Sequence, residues 1–103
     1  MADHLADVHR YDPIADEDAV LRIVKHLGVA LKNDASLHIN SEDARNAARL
    51  REKWCVKKLG CDDRERADQA IAMANLAMGA DAHKKRVTFY YLVAKQLGRL
   101  DAL

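Results

Sequence analysis

Residues that turn a chain are scarce here: four glycines and one proline in 103 positions. A β-sandwich or barrel needs turn residues every 8–12 positions or so, which argues against both. Aromatic residues number five and cysteines two, and no Cys-X-X-Cys pair occurs, so the common zinc spacings are missing. Long apolar runs are missing as well. The longest stretch without Asp, Glu, Lys or Arg is the twelve residues Gln69 to Ala80, against roughly 20 for a membrane span. Neither a phosphate loop, a dinucleotide fingerprint nor a Gly-X-Ser-X-Gly elbow is present. The opening Met-Ala-Asp-His-Leu-Ala-Asp is acidic and lacks the apolar segment of a secretory signal. A cytoplasmic protein is therefore expected, with Cys55 and Cys61 as free thiols, although their spacing alone leaves a disulfide open.

Alanine supplies 18 of the 51 apolar residues. It is the best helix former, and Leu, Lys, Arg and Glu, also plentiful, follow closely. The length fits one domain, and the fold class expected is all-α: a compact bundle of five or six helices.

The first helix is expected over Asp3 to Tyr11, ended by Asp12-Pro13 because the residue before proline avoids helical angles. Asp16 is an N-cap for the second, and Val20, Ile23, Val24 and Leu27 form its buried stripe before Gly28. Val29 to Asn40 reads as an irregular connection. Ser41 caps a third and longest helix that stops at Gly60, with Ala47, Leu50, Trp54, Cys55 and Leu59 as its apolar members. Asp62, with Glu65 three residues on, starts the fourth. Its face of Ala67, Ala70, Ile71, Ala74, Ala77 and Met78 lets a neighbouring helix approach toward about 8 Å. Met73 and Leu76 are expected to widen the apolar arc. Gly79 breaks this helix, and Asp81 is the candidate cap of a fifth, ending before Gly98. Val87 to Ala94 is β-prone by composition. It has no partner strand, so we read residues 82–97 as a helix, apolar nearly all round and therefore central.

Four segments are distinctive: Ala2-Asp3-His4-Leu5-Ala6-Asp7-Val8, Ile23-Val24-Lys25-His26-Leu27-Gly28, Lys57-Lys58-Leu59-Gly60 and Arg86-Val87-Thr88-Phe89-Tyr90-Tyr91-Leu92. Together they resemble a family of small bacterial proteins known only as a domain of unknown function. The resemblance covers nearly the whole chain and implies an all-helical bundle with one central helix. It implies no catalytic residue and leaves the function open.

The near-neutral net charge of +1 conceals segregation. Residues 1–20 carry one base and six acids, residues 41–60 six bases and three acids. Arg45, Arg49, Lys53 and Lys57 recur at steps of four, a single stripe on a helix. Such like-charge neighbours cost about 0.2–0.5 kcal/mol per pair in isolation. The offsetting anion is internal, with the acidic N-terminal segment alongside, or external, on a protein or nucleic acid. Alternatively the stripe is a solvated face. Lys84, Lys85 and Arg86, after His83, form a second cluster. It occupies the first turn of the fifth helix, where the macrodipole disfavours cations and exposed N–H groups suit an anion. If the fourth helix runs on through Gly79, the cluster is mid-helix and solvated.

Other chemistry is weakly signalled. His4, His9, His26, His38 and His83 form no His-X-X-X-His or His-Glu-X-X-His pair and read as solvated or locally bonded. Cys55, beside Trp54, reads as a buried inert thiol, and Asp62 and Asp63 oppose activation of Cys61. Tyr90 and Tyr91 read as core groups. A helix–turn–helix outline surrounds Gly60, but Asp62, Asp63, Glu65 and Asp68 on its second helix would face phosphates. The expected function is a small binding or interaction module without catalytic activity, whose partner is another protein or a second copy. The alternative is non-specific nucleic-acid or anion binding through the stripe. No cofactor is expected.

Overall fold

A computed structural model of the chain describes residues 2–28, 43–79 and 84–103. The described elements are α1 (Ala2–His9), α2 (Glu17–Leu27), α3 (Ala44–Leu50), a π-helical segment (Arg51–Lys58) continuous with α3, α4 (Arg64–Ala77), α5 (Arg86–Gln96) and a closing 3-10 turn (Leu100–Ala102). The protein is an all-α bundle. Among the described residues no helix is long and apolar enough to cross a membrane.

α5 is the axis, as its sequence requires. Val87, Thr88, Phe89, Tyr91, Leu92, Val93 and Ala94 are all buried, covering most of its circumference. α1, α2, the π segment and α4 each pack against it. The β-prone composition is overridden because an apolar helix surrounded by others buries every side chain while pairing its own backbone. Gly98 closes it in a Schellman turn: φ is +68°, Gly98 N donates to Lys95 O at 3.0 Å and Arg99 N to Ala94 O at 2.9 Å.

The most extensive pairing among the described elements is α4 with α5. Ala67, Ala70, Ile71, Ala74 and Met78 are buried there, so the small-residue face does what its composition suggests. Ala77 lies outside it, and Met73 and Leu76 do not widen it: they are 48% and 76% exposed. At a fixed axis the contact stripe of a helix is narrow, and both fall beyond its edge.

The second helix starts where expected, and the three after it do not. Asp16 caps α2, accepting from Asp18 N at 3.0 Å. The third helix is capped by Asp43, not Ser41, which lies outside the described residues together with 29–42. Asp43 accepts from Arg45 N at 2.9 Å. Asp63 rather than Asp62 caps α4, accepting from Arg66 N at 3.2 Å. In runs such as Glu-Asp and Asp-Asp either carboxylate suits the cap, and the register of the buried face decides. α5 begins at Arg86 behind an N-cap Lys85 that makes no side-chain cap bond; Asp81 lies outside the described residues. α4 ends at Ala77, so the reading that carried it through Gly79 is overturned.

The acidic N-terminal segment is tied to α5 through two buried carboxylates, Asp7 and Asp12. Thr88 Oγ1 donates to Asp7 Oδ2, and Arg10 donates to the other oxygen at 2.7 Å. Asp12 Oδ2 accepts from the Tyr91 hydroxyl at 2.7 Å and pairs with Lys95 Nζ at 3.0 Å. Tyr91's hydrogen bond holds the Asp12 carboxyl below its ordinary 3.8; burial opposes this, and Lys95 adds to it. Burial and the Asp12 charge push the Tyr91 phenol up, so it stays a donor. His9 Nε2 donates to Ala15 O at 3.0 Å, folding the Asp12-Pro13 turn back on α1.

Two outcomes are expected. Asp12→Asn should cost about 1–3 kcal/mol at pH 7, because it weakens a charge-assisted hydrogen bond in a buried place. The folded carboxyl is more acidic than the unfolded one, so its contribution is present above about pH 4 and disappears as pH falls through the folded value. Thermal melts from pH 7 to pH 3 should therefore show the gap between wild type and variant closing. Ala74→Leu should lower stability by about 1–3 kcal/mol by forcing α4 off α5, read by urea denaturation.

Candidate functional site

The acidic segment does not serve as the counterion of the α3 stripe. Its buried carboxylates, Asp7 and Asp12, bond to Thr88, Arg10, Tyr91 and Lys95. Arg45, Arg49, Lys53 and Lys57 are exposed. Arg45 has its side chain 91% exposed, with Asp43 3.8 Å away. Among the described residues, no carboxylate forms an ion pair with Arg49, Lys53 or Lys57.

The stripe is also not a uniform α-helical one. From Arg51 the hydrogen bonding widens to the π register. Leu59 N donates to Trp54 O, five residues back, at 2.9 Å, and Cys61 N donates to Cys55 O at 2.9 Å. With Gly60 at φ +71°, this closure is one residue wider than the usual glycine-terminated end. On an α-helix residues five apart point about 140° away from each other. In the π register the i to i+5 bond stacks them on successive turns. Lys58 therefore joins Lys53, and Lys57 lies beside them.

These three lysines and His26, in the last turn of α2, line a groove of about 490 Å³. The His26 ring lies 5.0 Å from the buried Trp54 ring, tilted by 49°. Trp54 in turn contacts Tyr90 at 4.9 Å and donates from Nε1 to Tyr90 O at 3.1 Å. Burial and then the Lys58 charge lower the His26 pKa from 6.5, so the imidazole is mostly neutral at pH 7. The acid of the π segment, Glu52, is drawn to the opposite side. It bonds Arg64 at 2.9 Å and Arg51 at 2.8 Å, which hold its pKa at about 2. Arg51 also reaches Asp68 at 3.3 Å. Glu52 thus neutralises none of the groove lysines.

His26 and Lys58 escaped the sequence reading. The spacing of four excluded Lys58 because it assumes α geometry throughout, and His26 meets the lysines only through tertiary packing. Trp54, a large residue facing the core directly between the lysines, is the one local sign. Lys84, Lys85 and Arg86 do not line the groove. Lys85 caps α5, and Arg86 lies over Tyr90, its guanidinium carbon 6.0 Å from the ring centre.

Other candidates resolve into structure. Cys55 and Cys61 are both free and buried. Burial pushes the Cys55 thiol up to about 12, and Cys61 Sγ donates to Asp63 O at 3.4 Å. Tyr91 holds Asp12. Among the described residues no cluster of three or more His, Cys, Asp or Glu is placed to bind a metal.

The sequence model of a family described as "Protein of unknown function (DUF2853)" matches residues 3–101. The chain belongs to this family. No curated protein and no solved structure gives a significant match.

Trp54, the chain's single tryptophan, reports on His26 through their ring contact. Its emission should change along a titration whose midpoint lies below pH 6.5, as the imidazole gains its proton. His26→Gln should abolish that transition; an unchanged transition in the variant would assign it to another group.

Proposed function

We propose that this protein is a one-domain cytoplasmic binding module without catalytic activity, and that it meets an anionic partner through the open basic side of α3 and the π segment. One observation carries the reading. The buried acids of the N-terminal segment bond with α5 and Arg10, leaving Arg45, Arg49, Lys53 and Lys57 turned to solvent. Repulsion along such a stripe is relieved when an external anion arrives. Two buried thiols, one with a strongly raised pKa, support a binding role over a nucleophilic one and suit a reducing compartment.

An acidic protein surface is favoured over a nucleic acid. The exposed acids Asp62, Asp63 and Glu65 stand at the start of α4, directly after the stripe in the chain, and a duplex backbone extending across them would be repelled. The test is salt-dependent binding of a polyglutamate peptide, followed by fluorescence anisotropy, beside a duplex DNA and a single-stranded RNA. The peptide should bind, more weakly as salt rises, and Arg45→Glu with Arg49→Glu should reduce its affinity by at least about tenfold. No peptide binding at low salt, or tighter binding of either nucleic acid, would overturn the reading.

A further inference from the structure

The groove differs from the stripe in shape. Arg45 and Arg49 project from an exposed helix face, which suits an extended partner. Lys53, Lys57, Lys58 and His26 converge from two elements on one concavity of about 490 Å³, within the range of small-molecule sites. Among the described residues no carboxylate lines it, and none forms an ion pair with the three lysines. Three lysines lining one small groove match a small ligand carrying several charges on adjacent centres. A single carboxylate or orthophosphate would leave cations unmatched, and a polymer would thread most of its charge outside.

The π register is the second observation. It gathers Lys53 and Lys58, which an α-helix would place on different faces, and it does so by departing from the standard backbone bonding. Such segments are rare and concentrate at functional sites.

We propose that the groove between the last turn of α2 and the π segment binds a compact polyphosphate, with Lys53, Lys57 and Lys58 on its phosphoryl oxygens and His26 as a proton-dependent fourth donor. The shared chemistry is a chain of two or three linked phosphates, from a free inorganic polyphosphate or from a nucleotide. The proposal goes beyond the partner reading above and shares only Lys53 and Lys57 with it. The charged groups lining the groove with His26 are those three lysines, all from the π segment; from α5, Tyr90 reaches the neighbouring Trp54. When a phosphate replaces water among these cations, the imidazolium is favoured, so binding takes up a proton.

The experiment is calorimetric titration of the full chain with inorganic tripolyphosphate at low ionic strength, at pH 8 and pH 6, with Trp54 emission as a second readout. Wild type should bind, and severalfold more tightly at pH 6. Lys58→Glu should weaken binding by at least about tenfold, since it both removes and reverses a charge. His26→Gln should flatten the pH dependence while retaining pH 8 binding. Both residues are exposed, and circular dichroism checks that the variants fold. The Arg45→Glu, Arg49→Glu variant should keep its tripolyphosphate affinity within about threefold while losing the acidic peptide, which separates this site from the contact face. A nucleoside triphosphate that binds as well as tripolyphosphate supports a site reading phosphates alone, and one that binds better adds a nucleoside contact. Absence of tripolyphosphate binding would overturn the proposal. So would equal affinity for orthophosphate, indifference to Lys58→Glu, or a preference for single-stranded RNA over tripolyphosphate at equal phosphate concentration.

Discussion

The whole arrangement depends on one constraint: α5 is apolar around most of its circumference and has to be enclosed. α1, α2, the π segment and α4 each lie where they cover part of that surface. α4 approaches on alanines, and α2 brings Val20 and Ile23. The π segment brings Trp54, which also anchors itself to α5 through Tyr90 O. α1 closes the remaining side. There α5 presents Thr88 and Tyr91, polar groups that need partners once buried, and Asp7 and Asp12 supply them.

That last requirement links the core to the surface. The acids engaged with Thr88, Tyr91 and Lys95 hold the N-terminal segment against α5, so the basic side of α3 keeps its positive field. Glu52, the carboxylate nearest the stripe in sequence, is likewise held on the far side by Arg51 and Arg64. Charge separation here follows from packing. It needs no excess of basic residues, and the chain's net charge of +1 gives no hint of it.

Much of the fold was legible because helices carry their own signals. Alanine content, the Val20 to Leu27 stripe, the cap at Asp16 and the stops at Gly60 and Gly98 all act locally. The central place of Val87 to Ala94 followed from its having no polar face. Ambiguity arose wherever two acids stood side by side, as at Asp62 and Asp63, because cap chemistry alone does not choose between them. Of the candidate site, the stripe was visible as a spacing of four. The groove was hidden. Lys58 belongs to it only in a π register, which a spacing of four does not reveal, and His26 arrives from another helix. The positions of Asp7 and Asp12 on α5 are likewise tertiary facts, with partners 81 and 79 residues away.

Those separations also bear on the order in which the molecule assembles. Contacts that span almost the entire chain are slow to form, because a large loop must close before they reward it. During synthesis α1 is made some eighty residues before the surface that receives it, from Thr88 to Lys95. α1 and its acids must wait in solvent while some eighty residues are added, on the order of several seconds at ordinary elongation rates. An acidic segment is well suited to that wait, since charge keeps an unfolded stretch apart from its neighbours on other nascent chains.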